Sequence, residues 1–313
     1  MIKLSNFNFW VCVRCYTYNH ASFIADAMDG FAMQQTSFPF ICKIVDDAST
    51  DGEQKVILNY LNDSFSIIYR TKDNPDFDYI VAQHKRNLNC IFAVYLLKYN
   101  HYQLGKSKIH YMQDGVQDVK YIASCEGDDY WTVPFKLQKQ VDYLESHPDH
   151  SLCIHAYRQD DYNGSAVHSH EVHKYSCDVD IIPPIDVLAG KGMFCATASK
   201  VYRREFIENY PEWARKAIVG DKPMKLVLFS RGPIAYMDDV MCVYRVGVGG
   251  SWTSRISNDH HYLKKNRIGL LNVNKEFDEW TNGKYHKLIM KSNRLFVWSC
   301  IKADIKSLFG FKR

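Results

Sequence analysis

What this chain of 313 residues lacks narrows its class first. No stretch reaches the ~18 consecutive apolar residues that a membrane span needs, and residues 1–10 carry no apolar signal-peptide run. A strong excess of either charge is absent. The 39 Lys and Arg against 35 Asp and Glu leave +4, too little to argue for nucleic acid, and no nucleic-acid-binding motif is present. Internal repeats and low-complexity stretches are missing too, which excludes solenoids and disordered tails. A C-x-x-C pair, Cys12 and Cys15, has no second pair to complete a zinc site. It falls in a predicted strand, where an offset of three turns the thiols to opposite faces. The ten cysteines are scattered through apolar segments, as reduced buried thiols are, and point to a cytoplasmic protein.

What is present is an alternation. Residues 9–13 form a continuous apolar run, as in a strand covered on both faces. Phe23, Ile24, Ala27, Met28 and Phe31 follow at helical spacing. Residues 40–45 read as a second strand, and Val56, Ile57, Tyr60 and Leu61 as a second helical face. Residues 66–69 make a short third strand. Leu88, Ile91, Phe92, Tyr95 and Leu96 read as a helix, 98–119 as an insertion, and 120–125 as a fourth strand. Pro134 opens a helix through Leu137, Val141 and Leu144. This order predicts an α/β fold, a mostly parallel central sheet with helices on both faces. Beyond residue 150 the pattern loosens. Residues 155–180 are polar and turn-rich, while 198–202 and 234–244 look like strands, so this part reads as a region built onto the first half.

In such sheets ligands bind beyond the carboxyl ends of the strands. Two acidic clusters fall at that edge: Asp46-Asp47 after the second strand and Glu126-Gly127-Asp128-Asp129 after the fourth. Carboxylates there are costly unless something positive meets them. A divalent cation carrying a diphosphate is one such partner, since Mg²⁺ or Mn²⁺ takes one or two carboxylates and completes its shell with phosphate and water. A helix cap or a solvated loop is the plainer alternative, and position alone leaves both open.

Motif order adds to this. Cys15-Tyr16-Thr17-Tyr18-Asn19, Ile44-Val45-Asp46-Asp47-Ala48-Ser49-Thr50-Asp51-Gly52, Glu126-Gly127-Asp128-Asp129-Tyr130-Trp131 with Pro134, and Gly220-Asp221 ahead of Val243-Tyr244-Arg245 occur in sequence. Together they resemble glycosyltransferase family 2, over roughly residues 8–255. The resemblance implies the GT-A nucleotide-diphospho-sugar transferase fold in residues 1–255, with a nucleotide-binding half (1–150) and an acceptor-binding half (151–255). It implies that Asp47 accepts a hydrogen bond from the nucleobase, that Tyr16 and Tyr18 line the base, and that Arg86 approaches it. Asp128 would lie near the ribose and sugar, and Asp129 would hold the Mn²⁺ or Mg²⁺. Asp221 would be the general base of an inverting transfer, on the face opposite the leaving group. A turn residue before Lys222-Pro223 is its plainer reading. Many relatives carry a His shortly after the Tyr-Arg pair; here Val246-Gly247 follows, and His260 or His261 is the nearest substitute. The glycine-rich stretch 247–252 suits a loop closing over the diphosphate, or a plain turn.

The expected partners are a nucleoside diphosphate sugar, with uridine favoured by the resemblance, and a glycan or lipid-linked glycan acceptor of bacterial surface polysaccharide synthesis. A sugar-nucleotide nucleotidyltransferase would show a glycine-rich phosphate loop after the first strand, and residues 15–20 contain no glycine. A non-catalytic nucleotide-sugar-binding relative would have lost some of Asp47, Asp128, Asp129 and Asp221, and all four are present. His168, His170 and His173 read as part of a solvated loop rather than a metal site. Residues 256–313 read as a helical extension. From 284 onward eight Lys and Arg stand against one acid, Asp304, interleaved with Leu288, Ile289, Leu295, Trp298, Ile301 and Ile305. That is the pattern of a basic amphipathic helix, on a membrane surface or packed on the domain.

Overall fold

A computed structural model describes residue 4 and residues 7–71, 73–163, 166–175, 179–189, 195–217, 220–248 and 260–308. The strands are β1 (Val11–Thr17), β2 (Phe40–Asp46), β3 (Phe65–Arg70), β4 (Phe77–His84), β5 (Cys90–Leu97), β6 (Tyr121–Ser124), β7 (Tyr130–Trp131), β8 (Leu152–His155), β9 (Tyr157–Asn163), β10 (Ala166–His173), β11 (Val201–Arg203), β12 (Ile234–Met237) and β13 (Cys242–Val246). The α-helices are α1 (Ile24–Ala32), α2 (Glu53–Ser64), α3 (Ile109–Gln113), α4 (Lys136–Ser146), α5 (Pro184–Ala189), α6 (Glu212–Arg215), α7 (Asp221–Arg231), α8 (His260–Trp280) and α9 (His286–Leu308).

Nine strands form one sheet in the order β12-β8-β11-β6-β1-β2-β5-β4-β3. Its centre, β6-β1-β2-β5, is parallel, whereas β11, β4 and β3 join antiparallel at the flanks. A second sheet, β10-β9-β13-β7, stands beside the end of the acidic loop. β11 comes from the second half of the chain and lies between β6 and β8, so both halves share one sheet. Helices cover both faces of that sheet. Ile24, Met28, Phe31, Ile57, Leu61, Leu137 and Val141 from α1, α2 and α4 pack on one. Met112, Leu188, Leu226, Phe277 and Ile289 from α3, α5, α7, α8 and α9 pack on the other. Each large apolar side chain buried this way contributes about 1.5–3 kcal/mol. Cys12 and Cys15 are both buried, in the cores on opposite faces, which removes them as a shared metal site.

Three expectations need correction. Residues 90–97 are a strand, not a helix, and every one is buried. A short, wholly apolar run carries no period to separate the two, and two covered faces with Ile91, Phe92, Val94 and Tyr95 favour the strand. β4 went unread because its polar ends hide a buried centre, Tyr79–Ala82. Residues 155–180 are not mainly loop, since β9 and β10 pair there as an antiparallel hairpin. His168 and His170 are exposed on β10; His170 faces Asp160 at 2.6 Å and His173 stacks on Tyr157.

Candidate active site

Parallel β1, β2 and β6 end side by side, and their carboxyl ends deliver the site. The loop after β1 and the loop after β2 are tied together. Thr17 and the His20 backbone N–H donate to Glu53, and Ser49 donates to the same carboxylate. The Thr50 N–H donates to Asn19 Oδ1 at 2.8 Å. Asn19 and Ala48 sit at φ 58° and 60°, left-handed turns that these bonds hold in place. The acidic loop after β6 then crosses close over β1. The Gly127 N–H donates to the Tyr16 carbonyl at 3.1 Å, and a Cβ on Gly127 would stand 2.1 Å from Thr17 Oγ1. Only glycine lets the acidic loop lie this low.

That loop gathers three carboxylates. Ligand oxygens of Glu126, Asp128 and Asp129 lie within 4.8 Å of one another. Asp129 is fully buried; its Oδ1 accepts the Arg245 backbone N–H at 2.9 Å, and its Oδ2 has no partner. Burial, then Asp128 and Glu126, raise its carboxyl well above the usual range. Glu126 opens to solvent, yet the surrounding protein together with Asp128 and Asp221 pushes it up to about 7. An orphaned buried oxygen inside a self-repelling acid cluster fits a hard divalent cation, which would satisfy the oxygen and remove the repulsion. Arg245 pins the arrangement. It donates to the Asp128 carbonyl at 2.8 Å and to Tyr162 at 3.1 Å, pairs with Asp26, and lies 4.4 Å from the Tyr130 ring.

Asp221 is the first residue of α7, 70% exposed, with Oδ1 3.0 Å from the Nζ of buried Lys200. Lys200, foremost, holds the Asp221 carboxyl below its ordinary value. The same ammonium lowers Glu126, so Asp221 and the acid cluster feel one buried cation between them. His20 Nε2 lies 3.7 Å from Asp128. Neither Lys200 nor His20 carried a sequence signal beyond residue type. His260 and His261 have no described side-chain placement, and most of the glycine-rich loop, 249–252, lies outside the described residues.

Two anticipated contacts come out differently. Asp47 is buried and already saturated: it accepts the His101 N–H at 2.7 Å and the Tyr102 N–H at 3.1 Å, and Lys108 Nζ sits at 2.5 Å. Residues 98–108 therefore occupy the carboxylate expected to meet a base. Lys108 also stands 5.8 Å from the ring of half-buried Tyr16, with Tyr18 half-buried in the turn above. Arg86 is at the wrong end of the sheet. It lies in the turn leading into β5, beside Ala32, Met33 and Gln35, at the amino ends of β2 and β5. Six residues of strand, about 20 Å, separate that edge from Asp47.

No family model matches this chain. Curated relatives, uncharacterized proteins of Mycobacterium bovis and Mycobacterium tuberculosis, are 29% identical over 254 residues, 81% of this chain and 64% of their own. The chain thus spans under two thirds of those relatives. Among solved structures, the glycosyltransferase TarS of S. aureus (residues 1–349), in complex with UDP-GlcNAc, superposes with a TM-score of 0.51. It is 16% identical, and the match covers 88% of this chain and 72% of TarS. The fold is one that glycosyltransferases use. In this fold the acid cluster, the Asp221–Lys200 pair and Tyr16 belong to the carboxyl-end edge of the central sheet. Among the described residues no helix is long and apolar enough to cross a membrane.

Proposed function

We propose that this protein is an inverting glycosyltransferase that moves a sugar from a nucleoside diphosphate, UDP by preference, to an acceptor hydroxyl. The observation that carries the reading is the unpartnered, buried Asp129 Oδ2 within the three-carboxylate cluster, whose Glu126 feels the charges of the paired Asp221 and Lys200. Asp129 and Asp128 would hold Mn²⁺ or Mg²⁺, whose positive charge would offset that of the departing diphosphate. Asp221 accepts the proton of the acceptor hydroxyl, whose oxygen attacks the anomeric carbon opposite the diphosphate. The sugar–oxygen bond breaks with its electron pair going to the phosphate oxygen, and the anomeric configuration inverts. Lys200 keeps Asp221 ionised and oriented. The base stacks on Tyr16 and Tyr18, and Lys108, positioned by Asp47, donates to a base carbonyl. The TarS complex with UDP-GlcNAc supports a uridine carrier. The acceptor is a glycan or lipid-linked glycan of the bacterial surface, with the work done on the cytoplasmic side, as free buried thiols suit.

The test incubates sugar nucleotides with and without Mn²⁺ and identifies the nucleotide released. Metal-dependent release of a nucleoside diphosphate is expected. Metal-independent turnover, or release of pyrophosphate as a nucleotidyltransferase would give, overturns the proposal. Asp221→Asn should keep donor affinity while transfer falls at least a hundredfold, since a general base contributes about 10²–10⁴.

A further inference from the structure

The two C-terminal helices form an antiparallel hairpin whose two ends behave differently. Near the connection, α9 is part of the core: Ile289 and Ser292 are buried, and Tyr285 stacks on Phe277 of α8. Further out the covering stops. Leu295, Trp298, Ile301 and Ile305 follow at three- and four-residue spacing, and each is exposed, Trp298 by 64%. One turn to either side of Trp298 stand Arg294 and Lys302, and Lys291 lies one turn before Leu295. The facing end of α8 adds exposed Ile268, Lys264 and Lys265. The acid within this stretch of α9, Asp304, is taken by Arg267 at 2.9 Å. A row of apolar side chains therefore stands in the open, flanked by cations.

We infer that the outer end of the α8–α9 hairpin seats on an anionic lipid surface, with Trp298, Ile301 and Ile305 entering the headgroup boundary and Arg294, Lys291 and Lys302 meeting lipid phosphates. Charge sign and apolarity together select this occupant. A second copy of the chain would press like charges together, and nucleic acid offers nothing to the uncovered Leu, Trp and Ile side chains. Interfacial helices combine these two ingredients, and Trp prefers the headgroup level. The inference does not rest on the glycosyl-transfer reading.

The experiment sediments the full chain with phosphatidylcholine vesicles, with and without phosphatidylglycerol, at low and high salt. Sedimentation with the phosphatidylglycerol vesicles alone, lost at ~1 M salt, is expected. Lys291→Ala/Arg294→Ala/Lys302→Ala should weaken partitioning on the order of a hundredfold, at about fivefold per cation. Trp298→Ser/Ile301→Ser should also release the protein, with melting temperature unchanged because both side chains are already exposed. Equal binding to neutral vesicles, no vesicle binding, or wild-type binding by either variant overturns the inference. So does a dimer in light scattering that Trp298→Ser/Ile301→Ser converts to monomer.

Discussion

At the residue scale, the site is a set of charges held against their own preference. Asp129 is the clearest case. Its folded carboxyl is raised above its unfolded value, so at neutral pH the ionised form costs stability, a cost that fades as pH falls. Asp129→Asn keeps an acceptor for the Arg245 N–H and removes the buried charge. Without metal, the variant should be more stable than the parent at pH 7, on the order of 1–3 kcal/mol, and the thermal shift on adding Mn²⁺ should disappear. Calorimetry with and without the ion checks both. Lys200 sets the opposite case. Its charge is the main reason the Asp221 carboxyl lies low. Lys200→Met should raise that pKa, moving the acid limb of the pH–rate profile to higher pH while donor affinity holds, which a kcat–pH series reads directly.

At the element scale, helix and strand placement depends on buried polar groups as well as apolar faces. Lys136, the first residue of α4, is fully buried. Its Nζ donates to Gln140 Oε1 at 2.8 Å and lies 4.1 Å from the Trp131 ring, while Gln140 ties α4 to the carbonyls of Cys153 and Ser199. Burial pulls the lysine down to about 8 from 10.5. A lysine depressed on folding costs stability in full below pH 8, and the cost is relieved as pH rises from 8 toward 10.5. Lys136→Met should gain about 2 kcal/mol at pH 7, roughly 3 from the charge less about 1 for the lost hydrogen bond, and should flatten stability across that window. Denaturant melts at pH 7 and 10 measure it. The elements that sequence patterns revealed well, β1, β2, α1 and α4, are those with a clear period or a continuous apolar run beside turn residues. β5 was misread because it is apolar on both faces, and the β9–β10 hairpin because β10 is a solvent-exposed, largely polar edge strand of the second sheet.

At the scale of the whole molecule, distant segments meet to finish the pocket. Asp47 and Lys108 are 61 residues apart and become partners only because 98–108 folds back over the end of β2. Lys108→Met should weaken UDP binding roughly tenfold while leaving Mn²⁺ binding unchanged, since one charge-assisted hydrogen bond is worth about 1.5–3 kcal/mol. Titration calorimetry with UDP and with Mn²⁺ alone separates the two; tighter UDP binding would instead make Lys108 an obstacle.

The sequence by itself determined the strand–helix alternation, the two acidic clusters at one sheet edge and the separation of the two Cys12–Cys15 thiols, because each follows from the period of side chains along a strand or helix. Only the tertiary structure decided that Asp47 is already occupied, that Arg86 stands at the far edge, that Lys200 joins Asp221 to the acid cluster, and that the C-terminal helix is half core and half open surface. Those outcomes depend on which segments pack together across the sheet. Local periodicity carries no record of that choice.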